Sequence, residues 1–247
     1  MIYQTFAKLY DALFDPDLYD DWLGFVQREL ATPQAPILEL ACGTGRLAVM
    51  LAKAGYNVTG FDLSDEMLSL ADQHAQEANV ELPLIQGDML DLSELATYQT
   101  VTCFADSFCY LPDEAALLQA FKQVTAHLAP TGQFMFDVIS PYQTDVVYPG
   151  YMFNYRDEDQ VFLWSSEAGE DPHSVDHDLT FFTYNEVKQA YDEVAELHHE
   201  RTYSLATYKQ LLQQAGFSAV QVTADFGRQP VTETTTRWFF VCEKGAR

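Results

Sequence analysis

The sequence predicts an α/β fold: a parallel sheet with helices on both faces, joined late in the chain by a small antiparallel β insertion. Three observations carry this. Short apolar runs alternate with amphipathic helical stretches from about residue 36 to 138. A glycine-rich turn with the spacing G-x-G-x-x-A (Gly43, Gly45, Ala48) follows the first such run. After Ser140-Pro141 the rhythm changes to extended, alternating segments before one more helix and two strands close the chain.

The elements follow in order. Tyr3, Phe6, Tyr10, Leu13 and Phe14 recur at helical spacing, and Leu18, Trp22, Leu23, Val26 and Leu30 do so after Pro16. Ile37 to Ala41 is the first strand, and Leu47 to Ala54 a helix stopped by Gly55. Asn57 to Phe61 is the second strand. Ser64 can cap a helix from Asp65 to about Ala78, with two acids at its positive end. Leu82 to Ile85 and Thr100 to Phe104 read as strands three and four. Asp113 can cap the helix carrying Leu117, Leu118, Phe121, Val124 and Leu128, which Pro130 and Gly132 end, and Gln133 to Val138 is strand five. Within 151–203, Val161 to Ser165, Leu179 to Tyr184 and Tyr191 to Tyr203 are extended, with a polar turn from Glu167 to Asp178. In the last segment Tyr191, Glu193, Ala195, Leu197, His199, Arg201 and Tyr203 share one face. Asp192, Val194, Glu196, His198, Glu200 and Thr202 share the other. Ser204 can cap a final helix with Gly216 at its C-cap, and Ala219 to Thr223 and Arg237 to Cys242 are the last strands. Residues 1–150 and 204–247 thus form one domain, with 1–30 as a helical lid, and 151–203 an insertion.

Composition narrows the function. Among 247 residues, 37 are acidic and 13 basic, a formal net charge of −24. Phosphate binding needs clustered Lys and Arg, so a nucleic-acid partner is disfavoured. The acidic excess reads first as solubility or an acidic proteome, and alternatively as a preference for neutral or cationic ligands. No apolar run is long enough to span a membrane, and the first ten residues lack the cationic and apolar regions of a signal peptide. Cys42, Cys103, Cys109 and Cys242 form no C-x-x-C pair; they read as small buried hydrophobes in a reducing cytoplasm.

Gly43 and Gly45 let the backbone turn sharply between strand and helix and approach a ligand. Asp62, ending strand two, can accept from both ribose hydroxyls of a nucleotide. These features fit a nicotinamide dinucleotide and S-adenosylmethionine (SAM) alike; a phosphate-binding P-loop is excluded, because no Gly-Lys-Ser or Gly-Lys-Thr follows. Three others favour SAM. Glu39 is an acid inside strand one, costly without a positive partner. Asp88, in Gln86-Gly87-Asp88-Met89, can accept from an adenine amino group. The helix and two strands after the insertion are not the usual second half of a dinucleotide fold.

The ordered motifs resemble those of the class I SAM-dependent methyltransferases. Glu39-Leu40-Ala41-Cys42-Gly43-Thr44-Gly45 is similar to the family's first motif, Asp62-Leu63-Ser64 with Met67-Leu68 to the second, and Gly87-Asp88-Met89 to the third. Phe104-Ala105-Asp106-Ser107 stands in the place of the fourth, and Leu128 to Gln133 resembles the lead-in to strand five. The opening Tyr3 to Trp22, with Tyr10-Asp11, resembles the bacterial subgroup called YqeM-like. The resemblance implies a seven-stranded Rossmann-like sheet and a SAM site. Glu39, Ala41, Gly43 and Gly45 would lie by the methionine part and Asp62 by the ribose. Leu63, Asp88 and Met89 would hold the adenine, with Met67 nearby. Asp106 would sit by the amino group or the substrate mouth, and Tyr3 and Tyr10 would either form a lid over the ligand or serve to pack their helix.

Methyl transfer from a sulfonium is an in-line displacement that needs alignment more than acid–base groups. The candidates for a proton acceptor are Asp106, Tyr110 and His199. His173 and His177 read as surface residues of the polar turn. His198 and His199, adjacent on a strand, face opposite ways, so that one of them can point into the site. Of the aromatics Phe108, Tyr110, Tyr151, Phe153, Tyr155 and Trp164, most read as core and a few as the lining of a substrate pocket. No metal site is expected. The fourth motif lacks Asn-Pro-Pro-Tyr, which weighs against methylation of a nucleobase amine. The expectation is a cytoplasmic enzyme that methylates O or N of a small molecule and yields S-adenosylhomocysteine. The alternatives are a tRNA or rRNA methyltransferase and a SAM-binding protein without transferase activity.

Overall fold

A computed structural model describes residues 16–30 and 34–245. Tyr3 and Tyr10 lie outside the described residues. The chain runs α1 (Pro16–Glu29), β1 (Pro36–Leu40), α2 (Arg46–Lys53), β2 (Asn57–Asp62), α3 (Asp65–Ala78), β3 (Leu84–Gln86), β4 (Tyr98–Cys103), α4 (Glu114–His127) and β5 (Leu128–Ile139). It continues with β6 (Tyr151–Arg156), β7 (Gln160–Ala168), β8 (Ser174–Asn185), β9 (Ala190–Arg201), α5 (Leu205–Ala215), β10 (Phe217–Thr223) and β11 (Arg237–Lys244).

The larger sheet has seven strands in the order β10-β11-β5-β4-β1-β2-β3, and β6 to β9 form a separate antiparallel sheet in sequence order. β1 to β5 pair in parallel, as the strand–helix alternation requires. The expected parallel sheet is corrected at its edge. β11 runs antiparallel to both β5 and β10, because a loop rather than a crossover helix joins the last two strands. β5 begins earlier than Gln133: Leu128 already pairs with Tyr98, and Ala129 to Gly132 bulge out before the register resumes at Gln133.

Local chemistry places the helices. Ser64 Oγ accepts from the Met67 amide at 3.2 Å, Asp113 from Ala116 at 2.8 Å and Ser204 from Thr207 at 3.1 Å. Each cap satisfies one otherwise orphan N–H. Gly216 ends α5 with φ +105°, a left-handed C-cap. One face of the large sheet packs on α4 and α5 through Phe121, Leu117, Tyr208 and Leu212. Phe136 stacks between Phe134 (4.7 Å) and Phe240 (4.4 Å) at the centre. The other face takes α1 and α2 through Trp22, Phe25, Val26, Leu47 and Leu51. Each of these fully buried side chains contributes about 1.5–3 kcal/mol.

The insertion holds four strands, and the expected long turn from Glu167 to Asp178 is a correction. β7 runs to Ala168 and β8 starts at Ser174, so His177 is a buried strand residue, not a surface one. Its register partners are Ser166 on β7 and His198 on β9. Among the described residues no helix is long and apolar enough to cross a membrane.

Candidate active site

The C-terminal ends of the parallel strands carry the site, as open α/β sheets dictate. A cavity of about 420 Å³ lies there. β1 supplies Glu39, and the turn after it supplies Ala41, Cys42, Gly43 and Thr44. The end of β2 and the start of α3 supply Asp62, Leu63, Ser64 and Met67. Met89, Phe104, Ala105 and Ser107 close the other side, and Tyr19 and Trp22 of α1 roof it.

Backbone strain shapes the mouth. Ala41 (φ +54°), Ala105 (φ +54°) and Asp106 (φ +51°) are left-handed without being glycine, a conformation that clusters at sites of function. The two glycines divide their work. A Cβ on Gly43 (φ +55°) would meet nothing within 4 Å, so its bare backbone faces open cavity. A Cβ on Gly45 would stand 2.6 Å from that of Ala71, so Gly45 lets α3 pack close and does not line the cavity. Asp62 ties the loop to β2: its Oδ2 accepts from the Gly43 amide at 2.7 Å and its Oδ1 from the Ser64 amide at 2.9 Å. Burial raises its carboxyl above the usual range, and those amides oppose the rise.

Glu39 is 5% exposed, and its Oε2 has no hydrogen-bond partner. Desolvation, with the nearby Asp62 charge, pushes its carboxyl up to about 8. Leu63 presents a 68%-exposed apolar face to the cavity. An orphaned buried acid, an open glycine and an apolar shelf fit a ligand with a cationic methionine part, a ribose and an adenine. Asp88 does not reach the wall. It is exposed, and its Oδ1 accepts from the Leu90 amide at 2.9 Å, while Met89 lines the cavity.

A second cavity, about 190 Å³, lies between this strand end and the insertion sheet. Asp106, Tyr110, Tyr148 and Arg237 form its floor; Phe162, Trp164, His177, Leu179, Phe181, His198 and Glu200 form its roof. Tyr110 and His198 line both cavities and so form the seam between them. Tyr110 Oη lies 3.2 Å from His198 Nδ1, and His198 Nε2 lies 2.8 Å from Glu196 Oε2. His199 is a correction: it sits on the opposite face of β9, half exposed, paired with Asp176 at 2.7 Å. The alternation of β9 was legible, but which face looked inward was not.

Beneath the seam, Asp137 is fully buried. It accepts from Trp22 Nε1 (2.7 Å), the Asp106 amide (2.9 Å) and Arg237 Nη1 (3.1 Å). The other Arg237 nitrogen, Nη2, binds Asp106 Oδ2. Burial pushes the Asp106 carboxyl up to about 7, which the Arg237 guanidinium partly offsets. Asp106 therefore anchors the floor, tied to the start of β11. Trp22 and Arg237 each lie 100 or more residues from Asp137, and no local signal in the sequence joins them to it. All four cysteines are buried and unpaired. No group of three side chains suited to a metal occurs among the described residues.

The glycine turn, the ribose-side acid and the strand order define a class I SAM-dependent methyltransferase. A methyltransferase-domain family model matches residues 37–132. The chain is 39% identical over 248 residues to GWCH70_2453 of Geobacillus sp. (strain WCH70), covering 99% of this chain and 100% of that one. It is 38% identical over 245 residues to YqeM of Bacillus subtilis (strain 168), covering 99% and 98%. The chain belongs to this methyltransferase family, in the subgroup of YqeM. A SAM-dependent methyltransferase from Clostridium acetobutylicum has the same fold, with TM-score 0.86 and 28% identity over 98% of this chain and 99% of that one. About half of the chain also matches a Streptomyces fradiae dTDP-3-amino-3,6-dideoxy-alpha-D-glucopyranose N,N-dimethyltransferase at 33% identity over 132 residues, covering 51% and 50%.

Proposed function

We propose that the chain transfers the SAM methyl group to a nitrogen or oxygen of a small molecule held in the cavity under the insertion sheet. The observation that carries this is the seam: one tyrosine and one histidine line both cavities, so the methyl donor and its acceptor meet across Tyr110 and His198. Glu39, with its orphaned oxygen, faces the cationic end of SAM. Gly43 and Ala41 approach the methionine part, Asp62 takes the ribose, and Leu63, Met67 and Met89 pack on the adenine side.

SAM supplies an activated methyl on a sulfonium. The acceptor's lone pair forms the new bond to the methyl carbon as the C–S bond breaks and its electrons return to sulfur. An acceptor N–H or O–H proton then leaves toward the Tyr110–His198–Glu196 chain of hydrogen bonds. Alignment across the seam contributes most of the acceleration.

The Streptomyces fradiae relative acts on an amino sugar, by its name, which supports a small acceptor. The cavity is roofed by the insertion and lined by aromatic side chains with a few polar groups, the make-up of a small-molecule site. A net charge of −24 disfavours an RNA surface. Four unpaired cysteines favour a reducing, cytoplasmic setting. Incubation of the protein with methyl-labelled SAM and a cell extract, followed by separation into small molecules, RNA and protein, tests the assignment. Label is expected in the small-molecule fraction; label confined to RNA would overturn it.

A further inference from the structure

We propose that His177 and Glu200 form a hydroxyl-reading subsite in the acceptor cavity, so that the methyl acceptor carries a hydroxyl group distinct from the atom that is methylated. This rests on the reading of that cavity as the acceptor site. The two side chains project from neighbouring strands, β8 and β9, onto the inner face of the insertion sheet. They are only 4% and 8% exposed. Both carry a buried polar atom with no hydrogen-bond partner: Nε2 of His177 and Oε2 of Glu200. Neither side chain lines the SAM cavity.

The tautomer of His177 follows from its neighbours. Trp164 Nε1 donates to His177 Nδ1 at 3.2 Å, with Ser166 Oγ 2.7 Å from the same nitrogen. An indole nitrogen can only donate, so Nδ1 presents its lone pair and the neutral ring carries its proton on Nε2. That N–H is 3.8 Å from the nearer Glu200 oxygen, too far for a hydrogen bond between them. The ring cannot easily turn to close the gap, because Tyr148 packs edge-on against it at 4.7 Å and Trp164 at 5.5 Å. The sheet thus offers one fixed donor and one fixed acceptor to the same small volume.

Leaving both unmet in a buried site is costly. A hydroxyl meets both: its oxygen accepts from Nε2–H while its proton goes to the Glu200 carboxylate. An ammonium satisfies Glu200 but gives Nε2–H nothing to donate to. A carboxylate or phosphate placed at Nε2–H is repelled by the adjacent Glu200, while the cation of the cavity floor, Arg237, is already paired with Asp106 and Asp137. The aromatic walls, Phe162, Trp164 and Phe181, suit the C–H face of a ring that carries the hydroxyl.

The indole N–H of Trp164 touches the subsite and reports on it directly. The chain has 3 tryptophans, so the indole region of a ¹⁵N–¹H spectrum is simple, and Trp164→Phe assigns the signal. The SAH-saturated protein is titrated with trans-2-aminocyclohexanol and with cyclohexylamine, which differ by one hydroxyl. The expected result is that both shift the Trp164 signal, the aminocyclohexanol with roughly tenfold lower Kd, as one hydrogen bond to a charged group implies. The preference should vanish in Glu200→Met and in His177→Leu, with retained SAH binding serving as the check that each variant folds. Equal Kd values for the two amines would overturn the subsite while leaving the acceptor cavity in place. No shift with either amine, SAH still binding, would overturn the acceptor reading and the subsite together.

Discussion

Asp62→Ala is expected to lower SAM affinity by about 100-fold or more, the loss of two hydrogen bonds to a charged group. The size of the effect comes from what the carboxylate already does without ligand. Each of its oxygens accepts one backbone N–H, from Gly43 on one side and Ser64 on the other. That leaves each oxygen a further lone pair for a ribose hydroxyl. The substitution removes both ribose acceptors and unties the glycine turn from the start of α3, so the loop loses the geometry on which the methionine part rests. Asp62→Asn keeps the shape and one acceptor oxygen, and is expected to fall between wild type and Ala. Calorimetric titration with SAM measures both. An unchanged affinity in Asp62→Ala would mean that the nucleotide lies elsewhere.

Glu39→Gln separates stability from binding. Folding raises this carboxyl from its ordinary 4.5 to about 8, so the native protein keeps a proton that the unfolded chain gives up. The sign follows. Native stability from this group is fully present below pH 4.5, falls as pH rises between 4.5 and 8, and is constant above that. The loss across the window is on the order of 5 kcal/mol. Gln carries no titrating proton, so the ligand-free variant is expected to be more stable than wild type at pH 8 by a few kcal/mol, with a flatter pH profile. SAM binding goes the other way. A cation beside Glu39 favours the carboxylate, so wild type should release up to one proton on binding SAM at pH 7. The variant should release none there and bind SAM about tenfold or more weakly. Thermal melts across pH 5–9 check the first part. Titrations in two buffers of different ionisation enthalpy check the second. A variant less stable than wild type at pH 8, or equal proton release from both, would contradict this role.

What was legible in the sequence was local. The glycine turn, the acid ending β2, and the caps at Ser64, Asp113 and Ser204 are each decided by a few adjacent residues, and their geometry appears as their chemistry requires. The insertion was harder to read, because its inner face encloses a polar cavity. On β9 the apolar Leu197 points outward at 73% exposure, while Glu200 is buried at 6%. The usual rule that apolar residues face inward therefore selects the wrong face, and with it His199 in place of His198. The same inversion made the buried His177 look like part of a surface turn. The Arg237–Asp106–Asp137 cluster was out of reach for a different reason. Arg237 joins the two acids only through the antiparallel pairing of β11 with β5, which nothing in the local pattern of either strand specifies.

A crystal structure with S-adenosylhomocysteine tests most directly the claim that donor and acceptor cavities meet at Tyr110 and His198. The expected result is the ligand sulfur at that seam, the ribose hydroxyls on Asp62 and the adenine against Leu63 and Met89. A nucleoside lodged under the insertion sheet, or a sulfur turned away from Tyr110 and His198, would contradict it.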